Sequence, residues 1–146
     1  MKLGHRLWAQ RIAAGRLAAL WRRWRPEPSL GERGELAAAK FLRRLGYHIV
    51  ARRHRTPIGE IDLVAVDGRT VVFVEVKTRQ SHDAGQPHEA IDPAKQDRLS
   101  RLALAYLKRH DLLECQARFD VIAVTWERGK AKPAIEHFLH AFESTL

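Results

Sequence analysis

The stretch GEIDLVAVDGRTVVFVEVKTRQ, from Gly59 to Gln80, constrains the fold more than any other part of the chain. Two strand-forming runs, Ile58 to Val66 and Arg69 to Lys77, flank Asp67-Gly68. A two-residue Asp-Gly between such runs predicts a tight β-hairpin. Leu63, Ala65, Val72, Val74 and Val76 would share one face, and Val64, Val71 and Phe73 the other. Both faces are therefore built for burial, as in a central strand.

At the end away from the turn the same hairpin carries Glu60, Asp62, Glu75 and Lys77. With Val66 opposite Arg69, paired residue numbers sum to 135, so Asp62 faces Phe73 and Glu60 faces Glu75. Direct partners and alternate residues share a face, so all four charged groups should emerge on one side. A one-residue slip would divide them. Glu60 opposite Glu75 is unfavourable, since two carboxylates ~5 Å apart repel by roughly 3 kcal/mol at an effective dielectric of ~20. One lysine cannot neutralise three carboxylates. Charges that break local rules at the end of an apolar strand mark a place where function is expected.

A divalent cation resolves the electrostatics, and oxygen ligands from Asp62 and Glu75 suit Mg²⁺ or Mn²⁺. Such an ion polarises a phosphoryl oxygen and lowers the pKa of bound water. Lys77, two residues beyond Glu75, could orient or deprotonate the attacking water and stabilise charge on the phosphate. The competing reading is a solvated strand end with ordinary ion pairs.

The 146 residues, 45% hydrophobic and 29% charged, suffice for one domain with a core. No apolar run approaches the ~18 residues of a membrane span. The single cysteine, Cys115, excludes an internal disulfide framework and a cysteine-rich zinc site; it fits a cytoplasmic protein. The net charge of +9 is unevenly spread: residues 1–25 hold seven of the 26 Lys and Arg and none of the 17 acids. An anionic partner follows, either nucleic acid or a lipid surface.

Residues 1–25 read as an amphipathic helix, with Leu3, Leu7, Ala14, Leu17, Leu20, Trp21 and Trp24 on one face. Without a continuous apolar core it does not read as a secretory signal, while an organelle transit peptide stays open. Trp8, Trp21 and Trp24 could stack on unpaired bases, anchor in a lipid interface or cover an apolar patch of a protein, and the residues do not rank these. Pro26 and Pro28 end the helix, so residues 1–29 form an extension with its linker and residues 30–146 the domain.

Within the domain, spacing predicts a helix from Glu35 to Leu45 stopped by Gly46, a strand from Tyr47 to Arg52, then a basic loop, RRHRTP. After the hairpin comes a polar connection, SHDAGQPHEAID. Asp92-Pro93 caps a second helix that runs to about Arg109, and strands follow at Phe119 to Thr125 and Ala134 to His140. Arg52, Arg53 and Arg55, with His54 between, are candidates for holding nucleic-acid phosphates, and Lys95, with Arg98 and Arg101, for a second such row. The alternative is a solvated basic surface. Arg118 reads as structural, and His82, His88 and His110 show no metal-ligand spacing.

Asp62, twelve intervening residues, then Glu75-Val76-Lys77 resembles the D…(D/E)xK core of the PD-(D/E)XK nucleases. GERGELAAAKFLRRLGYHIVARRHR, GEIDLVA, VFVEVKTR, DPAKQDRL and RFDVIAV resemble more closely the YraN-type bacterial family, which is related to archaeal Holliday-junction resolvases. The resemblance covers about Gly31 to Phe142. It implies an α/β fold with a central mixed β-sheet flanked by helices, in the restriction-endonuclease-like order αβββαβ. It also implies Asp62 and Glu75 as metal ligands with the Val76 carbonyl as a third, Lys77 as catalytic lysine, Glu35 as an acid beside the metal, and Gln96 as a polar helper. By local sequence alone, Glu35 could equally be a first-turn acid favoured by the helix dipole. Two departures stand out: Ile61 replaces the superfamily's proline, and Arg53 stands where the family usually has asparagine.

The leading expectation is a Mg²⁺- or Mn²⁺-dependent endonuclease acting on DNA, at branched or flapped structures. The runner-up is a DNA-binding protein that keeps the fold without cleaving, and a third reading is an adaptor docked to a membrane or partner by residues 1–25. No zinc finger, recognition-helix motif or aromatic RNA signature appears, so binding should follow backbone and shape and fall steeply with salt. A homodimer is expected by analogy with the resolvases alone.

Overall fold

Ser29 opens the first helix, α1 (Leu30–Arg44), in a computed structural model that describes residues 26–81 and 91–146. Its hydroxyl accepts from the Glu32 amide at 3.2 Å, and the Glu32 carboxylate accepts from the Ser29 amide at 2.8 Å. This reciprocal capping box satisfies two otherwise orphaned helix-start donors. Apolar spacing placed the start at Glu35, because the first turn, Leu30 to Arg33, carries no apolar stripe; capping, not periodicity, sets the beginning. Gly46, at φ +93°, ends the helix as expected. Ser29→Ala should cost about 1 kcal/mol, read as a lower urea midpoint with unchanged slope.

Five strands follow in one sheet: β1 (His48–Thr56), β2 (Gly59–Asp67), β3 (Thr70–Arg79), β4 (Gln116–Thr125) and β5 (Ala134–Phe142). They lie in sequence order. Every pair is antiparallel except β3 and β4, which the second helix, α2 (Pro93–Arg109), connects. As Asp92-Pro93 implied, the Asp92 side chain caps α2 by accepting from the Lys95 amide at 2.9 Å. The order is thus αβββαβ with an added edge strand, and the sheet is mixed and flanked by helices.

The hairpin β2–β3 lies at the centre, buried on both faces. Ala38, Ala39 and Leu42 of α1 cover Leu63, Ala65, Val72, Val74, Ile122 and Val124. Leu99, Leu102, Ala103 and Tyr106 of α2 cover Ile61, Val64, Val71, Phe73, Phe119 and Val121. Each of these large side chains contributes about 1.5–3 kcal/mol on burial. Gly34 brings α1 against β3: a Cβ there would sit 1.8 Å from Thr78 Oγ1. The next residue, Glu35, is carried to the sheet by that approach.

Two expectations need correction. The stretch read as a basic loop is the second half of β1, which reaches Thr56. As an edge strand, β1 has one pairing neighbour among the described residues and tolerates charged residues that hide its periodicity. The hairpin also turns one residue later than Asp67-Gly68. Asp67 pairs with Thr70 and Val66 with Val71, leaving Gly68-Arg69 as the turn. Gly68 takes φ +58°, the first central position of a turn with glycine leading. Partner numbers shift by two, so strand parity survives.

At the turn end, Asp120 is fully buried. It accepts from Arg118 Nε at 3.0 Å and the His140 amide at 3.1 Å, and lies 2.9 Å from His137 Nε2. Burial alone would raise its pKa, but His137, Arg118 and His140 outweigh that and hold the carboxyl below its ordinary value. Arg118 also donates to Asp67 and the Tyr47 hydroxyl, the structural role its position suggested. Residues 1–25, the connection over 82–90, and with them His82 and His88, lie outside the described residues. Among the described residues, no helix is long and apolar enough to cross a membrane.

Candidate metal centre

Strand β2 loses its alternation at Asp62. Ile61 packs beneath α2, whereas Leu63, two residues on, packs beneath α1. The ladder to β3 ends there, at Leu63 with Val74. In the gap beyond, Asp62 Oδ2 accepts from the Val76 amide at 2.7 Å, so a side chain replaces a backbone partner. Across on β1, Arg53 lies between the pairs Arg52–Leu63 and His54–Ile61, opposite Asp62. Its φ of +50° is a left-handed conformation that costs a non-glycine residue about 1–3 kcal/mol.

These two irregularities gather acids from a helix and a strand. Glu35 of α1 and Glu60 and Asp62 of β2 each offer a carboxylate oxygen, all within 4.8 Å of one another. Glu35 is only 8% exposed, so it is not the first-turn acid of α1; Glu32 holds that place. Arg53 threads the group. Its Nη1 lies 2.7 Å from Glu32 Oε1, and its Nε lies 3.4 Å from Glu35 Oε2 and 3.6 Å from Glu60 Oε1. Glu35 Oε2 and Arg53 Nε are nonetheless the buried side-chain atoms without hydrogen-bond partners among the described residues. The charges attract, but the N–H does not align.

The acids feel this crowding differently. Burial, then repulsion from Glu75, pushes the Asp62 pKa up to about 7 against the favourable Val76 hydrogen bond. Burial raises Glu35 as well, with Arg53 opposing. Glu60 is held below its ordinary value, chiefly by its hydrogen bond from Arg55.

Of the residues expected to form the site, Asp62 and Glu35 come together, joined by Glu60, which the hairpin pattern puts on the same side as Asp62 but which was not among the expected ligands. Glu75 is close enough to repel Asp62, but its own carboxylate is held by Lys95 of α2. It lies on the α2 side of β3, beside Val121. Asp62 thus stays beside Glu75, whose charge acts on it more strongly than that of Glu35, and the irregularity at Asp62 adds Glu35 from the helix, which strand alternation could not foresee. Val76 uses its N–H towards Asp62. Lys77 follows Glu75 by one pleat. The Gln96 side-chain Nε2 donates to the Ile91 carbonyl at 2.8 Å and so closes the start of α2. Arg52 and Arg55 are exposed along β1, the latter paired with Glu60. Sequence reading missed Arg53 as the counter-charge of the acids, since nothing local announces its left-handed backbone.

Could these residues hold a cation? Oxygens around Mg²⁺ at 2.0–2.1 Å span at most about 4.2 Å, which small side-chain adjustments reach from the observed spacing. All donors are hard oxygens, and one of them, the buried Glu35 Oε2, has no hydrogen-bond partner among the described residues; burial and the neighbouring Glu75 disfavour a bare charge on Asp62. The residues fit a hard divalent ion.

Fold and site together define an α/β protein with one buried and two partly buried carboxylates gathered where β2 and β3 part. By sequence the chain belongs to the uncharacterised protein family UPF0102, whose pattern matches residues 34–124. It is 52% identical over 114 residues to the UPF0102 protein of Geobacter sulfurreducens, covering 78% of this chain and 88% of that one. It is 47% identical over 118 residues to the UPF0102 protein of Rhodopirellula baltica, covering 79% and 71%. A UPF0102 protein of Paenarthrobacter aurescens is 47% identical over 113 residues, covering 77% and 93%.

Proposed function

We propose that the chain is a metal-dependent endonuclease-like protein that hydrolyses DNA phosphodiesters. One observation carries the reading: three carboxylates converge within 4.8 Å at a break in the central hairpin. Asp62, with Glu35 and Glu60 around it and Glu75 alongside, would hold Mg²⁺ or Mn²⁺. When bound, such an ion supplies Lewis acidity and a water of lowered pKa. The chain's own residues supply the rest. Asp62, fixed by the Val76 amide, orients the acid group. Lys77, on the Glu75 face of β3, offers positive charge to a phosphate oxygen or takes a proton from the attacking water. Arg52 and Arg55, on the outer strand, are placed for the flanking phosphates.

The test is cleavage of junction, flap, single-stranded and duplex DNA in Mg²⁺ or Mn²⁺, beside Asp62→Ala, Glu75→Ala and Lys77→Ala. Cutting by the parent chain that all three variants lose supports the reading. Cutting retained by Asp62→Ala would sink it.

A second reading, a DNA-binding protein without cleavage, has one observation in its favour. Arg53 already balances Glu32, Glu35 and Glu60 with a guanidinium. Binding without cutting by any form would select it.

A further inference from the structure

Beyond the acid cluster, the sheet end carries a concavity of about 590 Å³ lined by Arg33, Gln80, Trp126, Arg128 and Lys130 among others. That volume is in the range of small-ligand sites. Its floor is Trp126, half-buried against the inner core. The Trp126 amide donates to the Arg79 carbonyl at 2.9 Å, fixing the residue just past the end of β4. The Arg33 guanidinium lies over the indole, 4.7 Å from the ring centroid. Arg128 and Lys130 add positive charge, and Glu127, paired with Lys130, is the acid that faces it.

Position sets the ligand. Gln80 follows Lys77 by three residues on from β3, roughly 10 Å along the chain at ~3.3 Å per residue. Arg33 precedes Glu35 by two residues on α1. A nucleic-acid strand rises ~3.4 Å per nucleotide, so a strand with one phosphate at the acids reaches this concavity about three nucleotides away. An indole beneath a guanidinium is a platform for a flat ring, and the surrounding cations suit the phosphate beside it. A paired base offers its face to its neighbours, so only an unpaired one can enter.

We infer that Trp126 and Arg33 form a subsite for an unpaired nucleotide flanking the phosphate at the acid cluster. The base stacks on the indole face that Arg33 covers, displacing the guanidinium, which with Arg128 then takes the adjoining phosphate. This rests on nucleic acid being the ligand, but not on its being cut.

The test is binding by the full chain in EDTA, on an Asp62→Asn background, so that cleavage plays no part. Fluorescence anisotropy would follow a labelled oligothymidylate, its abasic counterpart and a duplex of equal length. Trp126→Leu keeps an apolar body against the core but removes the aromatic face. It should weaken oligothymidylate binding by roughly 5- to 150-fold, the range of one lost base stack, and leave duplex binding within about twofold. Trp126→Phe should restore most of the loss. On the abasic strand, parent and Trp126→Leu should bind alike. Oligothymidylate binding unchanged in Trp126→Leu would overturn the inference. Equal losses on single strand and duplex, or on normal and abasic strands, would overturn it too. Thermal melting of each variant confirms that a loss is not unfolding; should Trp126→Leu fail to fold, the parent decides the matter, since it should bind oligothymidylate more tightly than the abasic strand, and equal binding would overturn the inference. The parent chain's failure to cleave any DNA counts against the proposed function and leaves these comparisons intact.

Discussion

At pH 8 the Asp62→Asn chain should be more stable than its parent, and at pH 4 it should not. Asp62 has a folded-state pKa of about 7 against an ordinary 3.8. Between those values the folded chain holds a proton that the unfolded chain has released. Stability then falls as pH rises, by at most about 1.4 kcal/mol per unit, and stays low above pH 7. Asparagine has no proton to lose and can still accept from the Val76 amide, so its pH profile should be flatter over this window. Mn²⁺ should reverse the order. An ion that binds only the folded state stabilises it by about 2.7 kcal/mol at a hundredfold excess over Kd. For the parent this gain should grow from pH 5 to pH 8, as the ion no longer competes with the proton; for Asp62→Asn it should be small throughout. Thermal melts across this range, with Mn²⁺ or EDTA, give the comparison. Parallel profiles for both chains would mean that Asp62 is neither the strained acid nor the main ligand.

Gly34→Ala should destabilise the domain by about 1–3 kcal/mol, the usual cost of forcing extra volume into a packed contact. In an open helix the change would help by about 1 kcal/mol, because alanine is the better helix former. Here the new Cβ would meet Thr78 Oγ1 at 1.8 Å and both Thr78 Cβ and Cγ2 at 2.8 Å. A rotation of Thr78 relieves one contact and not the others, since its Cβ is fixed by β3. Helix α1 must lift, and Glu35, the next residue, lifts with it. The variant should therefore also lose part of its stabilisation by Mn²⁺. Thr78→Gly in the same chain removes all three clashing atoms and should recover most of the loss. Urea unfolding of the four chains of the cycle measures the coupling, and additive losses would show that the close approach is not what matters.

The central hairpin was legible because its two faces are apolar by simple alternation and its turn is marked by glycine. The caps were legible where chemistry is local: Gly46, and Asp92 before Pro93. Ser29 with Glu32 was equally local, but Ser29 lay hidden at the end of what read as a proline-rich linker. Strand β1 was half lost because an edge strand need bury little. Asp62 was found as a charge out of place on a buried strand. Part of its company was not: regular alternation gathers Glu60 and Glu75 with it, whereas the irregularity opposite Arg53 adds Glu35 from the helix. That irregularity depends on a backbone conformation set by pairing across strands, and no spacing along one strand encodes it.

Arg53 gives the acid cluster a counter-charge that belongs to the chain itself. The domain can therefore reach its folded state in an ion-free medium, without waiting for metal to quench its carboxylates. An ion arriving from solution would meet a tethered rival, and occupancy would be an exchange of guanidinium for cation rather than the filling of a hole. Because the rival is anchored on the outermost strand, in a backbone geometry already costly to keep, each such exchange would be felt along the sheet edge where Arg52 and Arg55 are displayed.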